Sequence, residues 1–399
     1  MSRKHVVVVG GNFAGLTAAL SVKHDVGEEA DVTVVSKSDH FQFNPSFIWI
    51  PFGKRTTRDV MFPLADTFES HGVEFLHGEA TKIDPTAHQV KTSRGTLDYD
   101  YLVIATGYLN DFDVVPGLGP GGNAYSITHL DGAVEAAEGW ARFLNDPGPV
   151  VIAATQGAAC FGAAYEFVFN VTYQLRKHKL KVPVSYVSAE PFPGHFGIGG
   201  LPGGERLLSM FFKRQRIDGI FDVAMEEVAP GEVRLADGRM LPFKYAMVVP
   251  PFVGAEVVKA SGLGNAKGFI EVKDTYQTLS HPDVYAVGIA TAVSAPWHGA
   301  NAVGVPKTGF PAETMARVAA TNIASQLRGE EPAKEESFGD IPAVCIMDAG
   351  NNGVVILADR MLPPRKHGVM IPGPQSHAAK LAFEKYFLWK ARHGYVALP

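Results

Sequence analysis

The chain has 399 residues, of which 46% are hydrophobic and 19% charged: enough for two or three packed domains, and too apolar for a disordered or fibrous protein. A net charge of −5 with no internal basic block argues against a nucleic-acid partner, and so small an acidic excess names no other. Two cysteines, Cys160 and Cys345, exclude a disulfide scaffold and a zinc site built from cysteine pairs, which leaves two apolar side chains or a redox pair.

The N-terminus, MSRKHVVVVGGNFAGL, passes from a short basic start into a strand at Val6–Val9 and a glycine turn, without the cleavage site that ends a signal peptide. No window holds the ~18–20 uncharged apolar residues that cross a bilayer, so any membrane contact is expected to be peripheral. An apolar stripe at Phe13, Leu16 and Leu20 predicts an amphipathic helix, and DVTVVS a second strand, completing a βαβ unit. Its turn, Gly10-Gly11-Asn12-Phe13-Ala14-Gly15, carries Asn12 at the middle glycine of a dinucleotide fingerprint. Gly10 permits the tight turn, Gly15 permits close packing of helix on strand, and the backbone N–H groups from Asn12 to Ala14 suit a pyrophosphate. Ser36 ends the second strand, where an acidic residue would meet a ribose hydroxyl. A ribose contact and an ordinary turn residue are equal readings of it.

The strand TLDYDYLVIATG ends in Thr106 and Gly107, and the Gly/Pro-rich PGLGPGG that follows marks a domain crossing. After NDPGP, the run VVIAATQG feeds a helix from about Gly162 to Lys177 and then the strand VPVSYVSAE, a second βαβ unit. The loop of this unit, TQGAACFGAAYE, keeps Gly157 and Gly162 but has Gln156 and Cys160 where small phosphate-facing residues belong, a poor nicotinamide site. Cys160 is expected at a helix start, where the dipole lowers a thiol below its usual ~8.5; an inert buried cysteine is the competing reading. HPDVYAVGIA, with Gly288, resembles the last strand of the first unit, so the second domain is read as inserted in the first. LVIATG and VYAVGIA, in this order after the glycine turn, resemble the strand ends of two-dinucleotide flavoproteins. GVPKTGFPAETMARVAATNIASQL predicts a helix after Gly309 with Pro311 in its first turn, its positive end and Lys307 facing a flavin pyrimidine ring. From about Ile341 a short strand-rich piece carries Cys345, and the basic, aromatic KLAFEKYFLWKARHGYVALP suits a membrane interface or a lid equally.

The chain therefore reads as α/β: two Rossmann-like dinucleotide-binding domains, the second inserted in the first, plus a small C-terminal region with an amphipathic helix. Residues 1–115 and 270–335 are expected to hold FAD, 116–269 to lack a nicotinamide site and bear Cys160, and 336–399 to bring Cys345 and a quinone- or membrane-facing helix.

Taken in order, FGAAYEF, EPFPGHFGIGG, GVPKTG, AVCIMDAG and KLAFEKYFLWK resemble the sulfide:quinone oxidoreductases, membrane-associated FAD enzymes, over nearly the whole chain. The resemblance implies that sulfide attacks a disulfide or polysulfide bridge between Cys160 and Cys345. The thiolate nearer the flavin, Cys345, then passes two electrons to the ring, sulfur leaves as polysulfide, and a quinone is reduced on the opposite face. It assigns proton handling to Glu166 and His195, the flavin's pyrimidine edge to Lys380, and the quinone to Phe383 and Phe387, with a core aromatic as the rival reading of Phe383. With both cysteines claimed by the relay, the FAD is expected to be noncovalent. Two departures stand out: Thr128 replaces a third cysteine of the family, and Gly132 replaces a histidine, with His129 nearby. The sequence ends at Pro399, where family members commonly continue with amphipathic helix, so a weak hold on the membrane and another acceptor stay open. Expected partners are sulfide, a quinone and a membrane surface; a peripheral or cytoplasmic location, the membrane side and a homo-oligomer stay open too. Rival readings are a flavocytochrome c-type sulfide dehydrogenase flavoprotein, against which the missing export signal counts, a type II NADH dehydrogenase, against which the Cys160 loop counts, and a non-turning-over FAD-bound sulfide or persulfide sensor.

Overall fold

The structure is a computed structural model that describes residues 3–307 and 309–398; Met1, Ser2, Thr308 (in GVPKTG) and Pro399 lie outside the described residues. Its first sheet has five parallel strands: β1 (Lys4–Val9), β2 (Ala30–Ser36), β3 (Glu74–His77), β4 (Tyr101–Ile104) and, far along the chain, β9 (Val284–Ala286). Their order is β9-β4-β1-β2-β3. The unbroken valine run of β1 is what a central parallel strand covered on both faces requires. Helix α1 (Phe13–Val26) follows β1, and its burial corrects the expected single stripe. Every residue from Ala14 to Leu20 is buried, because α3 (Phe310–Leu327) packs on the side that the sheet leaves open.

The second sheet is also parallel, β7-β6-β5-β8, from β5 (Val150–Ala154), β6 (Val184–Ser188), β7 (Ile217–Ile220) and β8 (Tyr245–Val249), with α2 (Phe161–Lys177) following β5. A three-stranded antiparallel meander precedes the closing strand in both halves: residues 80–98 before β4 and 225–242 before β8. The chain leaves the first sheet after β4 and returns after β8. A two-residue antiparallel pairing, Leu109 with Val253 and Asn110 with Phe252, binds the two crossings side by side.

The C-terminal part is an antiparallel meander, β10 (Ala343–Asp348), β11 (Gly353–Ala358) and β12 (Gly368–Pro372), followed by α4 (Pro374–Arg392). Strand alternation puts Cys345, Met347, Val354 and Ile356 on one face and Val344, Ile346, Val355, Leu357, Val369 and Ile371 on the other. In α4 the buried positions are Ser376, Lys380, Glu384, Phe387, Lys390 and Ala391, a helical face at three- and four-residue spacing. That face carries charge inward, and ion pairs from three other segments hold it: Glu166 to Lys380 and Glu313 to Lys390, both buried, and the partly exposed Arg55 to Glu384.

Candidate active site

The turn from β1 to α1 is shaped for close backbone approach. Gly10 has φ +108°, and a Cβ there would lie 2.3 Å from the Ala105 carbonyl oxygen; a Cβ at Gly15 would lie 1.9 Å from that of Gly10. Asn12 makes no side-chain cap on α1. Its Oδ1 accepts from Gln42 N–H at 3.2 Å and its Nδ2 donates to Asn44 at 3.4 Å, so the first N–H groups of α1 stay available to an anion. Gly107 and Gly288 have φ +70° and +67°, and a Cβ on Gly288 would come within 2.9 Å of the Ala14 side chain. Between these segments the buried Thr106 hydroxyl has no hydrogen-bond partner among the described residues. A cradle without side chains, a helix N-terminus and an orphaned hydroxyl fit a dinucleotide cofactor.

Two expectations at this cradle change. Ser36 Oγ donates to the Ser38 carbonyl at 2.8 Å, so its proton serves the turn. Lys307 is buried, with Nζ donating to the carbonyls of Ile289 and Thr291 and lying 3.9 Å from the Phe269 ring centroid. Burial lowers it to about 7, well below the usual lysine range. Gly309, at φ +59°, does precede α3, with Pro311 in its first turn.

In the second half the nucleotide groove is occupied by the chain itself. The Gln156 side chain pairs with the Met225 backbone in both directions (3.0 and 3.1 Å), and Gly157 N–H donates to the Ala302 carbonyl at 2.6 Å. Glu190, just past β6 where an acid would reach a nicotinamide ribose, is wholly buried and accepts from Ser188 Oγ (2.8 Å) and Phe196 N–H (2.6 Å).

Cys160 immediately precedes α2 and Cys345 lies on the face of β10 turned toward that helix. Both are free thiols. Cys345 is exposed and Cys160 is partly buried. The two thiols interact electrostatically and share two neighbours, Glu166 and Lys380. The expected low pKa of Cys160 is corrected. An N–H of the first turn, from Ala163, does favour the thiolate, but burial outweighs it and pushes the thiol up to about 11. Burial, with Glu166 adding, pushes Cys345 up to about 12; at both sulfurs Lys380 is the opposing positive charge.

Lys380 Nζ lies 3.1 and 3.4 Å from the two Glu166 oxygens and donates to the Ile346 carbonyl at 3.0 Å. Expected at a flavin edge, it is held here by the buried carboxylate within its reach. Burial holds Glu166 up at about 7 despite Lys380 and the Asp348 N–H, which donates to it at 2.6 Å. Sequence reading missed the residues behind this pair. The buried Asp348 carboxylate accepts from Trp49 Nε1 (2.8 Å) and Gly350 N–H (3.2 Å), pairs with His377 Nδ1 (2.5 Å) and lies 3.8 Å from Lys54 Nζ. The available signals were Asp348 three residues past Cys345 and His377 one helical turn before Lys380.

The remaining expected residues lie elsewhere. His195 is buried edge-on against Trp297, ring centroids 4.7 Å apart, with Nδ1 accepting from Gly197 N–H. Burial, helped by Arg365, lowers it to about 4, so it is neutral near pH 7 and organises its glycine-rich loop. No hydrogen bond or ring contact joins it to either cysteine or Glu166 among the described residues. Phe387 is 3% exposed, enclosed by Phe13, Phe41, Phe43 and Phe383, which makes it a core ring and corrects its assignment to the quinone. Phe383 is half-buried at the edge of that cluster. Thr128 Oγ1 donates to Asn110 Oδ1 (2.9 Å), and its carbonyl accepts from Tyr108 (2.6 Å), a phenol that senses Cys160. At Gly132 a Cβ would lie 2.1 Å from the Ser126 carbonyl, which explains why no histidine stands there.

Residues 4–304 match the pyridine nucleotide-disulphide oxidoreductase family. The chain is 35% identical over 404 residues to the sulfide-quinone reductase of Aquifex aeolicus, covering 99% of this chain and 92% of that protein. A mitochondrial sulfide:quinone oxidoreductase of Mus musculus is 24% identical over 72% of this chain and 65% of its own. The crystal structure of the Aquifex aeolicus sulfide:quinone oxidoreductase superposes with a TM-score of 0.94 at 36% identity, covering 99% of this chain and 92% of that one.

Proposed function

The chain belongs to the sulfide:quinone oxidoreductases, flavin enzymes that oxidise sulfide and pass the electrons to a quinone, and on that premise we propose that Cys160 and Cys345 are its sulfur relay. The observation that carries the proposal is the placement of both thiols against one buried Glu166–Lys380 pair. In the oxidised enzyme the two sulfurs are bridged. Hydrosulfide attacks the Cys160 sulfur, a persulfide forms there, the bond to Cys345 breaks, and the proton passes to Glu166. Lys380 stabilises the Cys345 thiolate as it leaves. Noncovalently bound FAD supplies the two-electron acceptor between sulfur and quinone. With two electrons withdrawn, the Cys160 persulfide would rejoin Cys345 and lengthen the bridge by one sulfur; attack of the Cys345 thiolate on the Cys160 sulfur would instead expel the chain as polysulfide and restore the disulfide.

Residues 10–15, 106–107, 288 and the start of α3 hold the cofactor by backbone and by the Thr106 hydroxyl. The quinone is assigned to Phe383, half-buried at the edge of the aromatic cluster of Phe43 and Phe387. The outer face of the meander, where Val344, Leu357, Val369 and Ile371 are exposed, is assigned to a lipid surface.

The test is anaerobic titration of the holoenzyme. Sulfide should bleach the flavin, and a short-chain quinone should restore its colour at a catalytic rate. Bleaching by NADH and not by sulfide would sink the proposal. Cys345→Ser should keep FAD and lose bleaching, and turnover in that variant would refute the role given to Cys345.

A further inference from the structure

Asp348 ends the strand that carries Cys345, and its own N–H donates to Glu166, so strand and carboxylate are tied at one point. Burial opposes the charge on its side chain, but hydrogen bonds from Trp49 and His377 and the charge of Lys54 win, and the carboxyl is held below its usual range. An ionised carboxylate only accepts, so His377 must present Nδ1–H to it. His377 and Lys380 are three residues apart on α4 and share a helical face.

We infer that Asp348 and His377 are a positioning pair for the cysteine chemistry: their hydrogen bond seats the first turns of α4 on β10 and so holds Lys380 Nζ against Glu166 and the Ile346 carbonyl, facing both thiols. The inference rests on the sulfur relay proposed above, but it concerns where a charge is held and fails or stands by its own measurement.

The groups facing this charge come from every element around it. Glu166 and Cys160 belong to α2 and its start, Cys345 and Asp348 to β10, His377 to α4 itself, and Trp49 and Lys54 to the segment against Asp348. Among the described residues, Lys380 is the positive group that acts on both thiols. An unpinned α4 start lets the ammonium leave, and both thiolates lose their counter-charge. The rest of α4 stays docked without His377, because Arg55 Nε holds Glu384 at 2.8 Å and Lys390 Nζ holds Glu313 at 3.1 Å.

The test measures iodoacetamide alkylation of Cys345 and Cys160 in reduced, oxygen-free holoenzyme across pH 6 to 10, read by mass spectrometry. His377→Ala should slow alkylation of Cys345 at pH 8 by about tenfold, one unit of thiol pKa. Asp348→Asn should do the same. His377→Asn, whose side-chain amide N–H can replace Nδ1–H, should restore the wild-type profile to within about twofold. Overlaying wild-type and His377→Ala profiles would overturn the inference, and so would an Asn variant as slow as the Ala one. Alkylation uses no sulfide. A wild-type enzyme whose flavin sulfide cannot bleach therefore defeats the proposed function, while the alkylation series still decides the pair.

Discussion

Glu166 is the side chain on which acid–base behaviour turns. Burial lifts it to about 7 while Lys380 and the Asp348 N–H pull the other way, so it changes protonation close to neutral pH. As the acceptor of the hydrosulfide proton it works only when ionised. The rate of flavin bleaching by sulfide should rise as pH climbs through about 7 and flatten above it. Hydrogen sulfide titrates in the same region, so the decisive comparison is with Glu166→Gln, in which substrate ionisation persists and the enzyme's own limb is gone. On the acid side the slope of log rate against pH should fall from about two to about one, with the plateau lower by roughly a hundredfold. Stopped-flow bleaching from pH 5.5 to 9 measures both, and an unchanged slope would remove Glu166 from the proton path. Gln keeps an acceptor for the Asp348 N–H and spares the fold the full cost of an unpartnered Lys380.

Helix α4 shows what a sequence reveals about an element and what it conceals. Its basic and aromatic composition reads equally as an interfacial helix or a lid, either of which would bury aromatics, whereas the buried face includes Lys380, Glu384 and Lys390. Their partners, Glu166, Arg55 and Glu313, come from three distant segments, and no local spacing announces them. The same holds for the cluster on Asp348, assembled from Trp49, Lys54 and His377. The glycine turns were legible for the opposite reason. Gly10 and Gly15 answer a steric demand set by neighbours in sequence and by one adjacent strand, so the pattern is local. Helix-start acidification at Cys160 was a sound local argument that desolvation, a property of the whole environment, overrode. The two phenylalanines of α4 separate core from site. Phe387→Ala should cost about 3–5 kcal/mol in equilibrium denaturation, and its KM for quinone should stay within about twofold of wild type, because the ring is enclosed by other aromatics. Phe383→Ala should do the reverse, with a smaller stability loss and a quinone KM raised several-fold. A Phe387 variant of native stability would mean that the cluster is not the core the packing describes.

At the scale of the molecule, the C-terminal meander has two unlike faces. Its inner face brings Cys345 to α2, and its outer face is aliphatic in register: Val344 opposite Leu357 opposite Val369, and Ile346 opposite Val355 opposite Ile371. Four of these six are 39–47% exposed, Val344, Leu357, Val369 and Ile371, whereas outward positions of a solvated sheet are usually polar. These exposed aliphatic side chains are what the lipid assignment proposed above rests on, and they make it testable. Fully burying an aliphatic side chain is worth about 1.5–3 kcal/mol, so one charge at the centre of the face should weaken lipid partitioning by at least tenfold. Leu357, the middle of the first line, is the residue to change. Leu357→Lys should leave bleaching by sulfide and reoxidation by a water-soluble short-chain quinone within about twofold of wild type, because neither needs the leaflet. Co-sedimentation with vesicles, and turnover with a long-chain quinone embedded in them, should fall together. If vesicle binding persists while sedimentation velocity shows an oligomer breaking into protomers, the face buries a second copy and the lipid assignment fails. Joint loss of vesicle binding and long-chain turnover, with sulfide chemistry intact, would place the leaflet on the far side of the strand that holds Cys345.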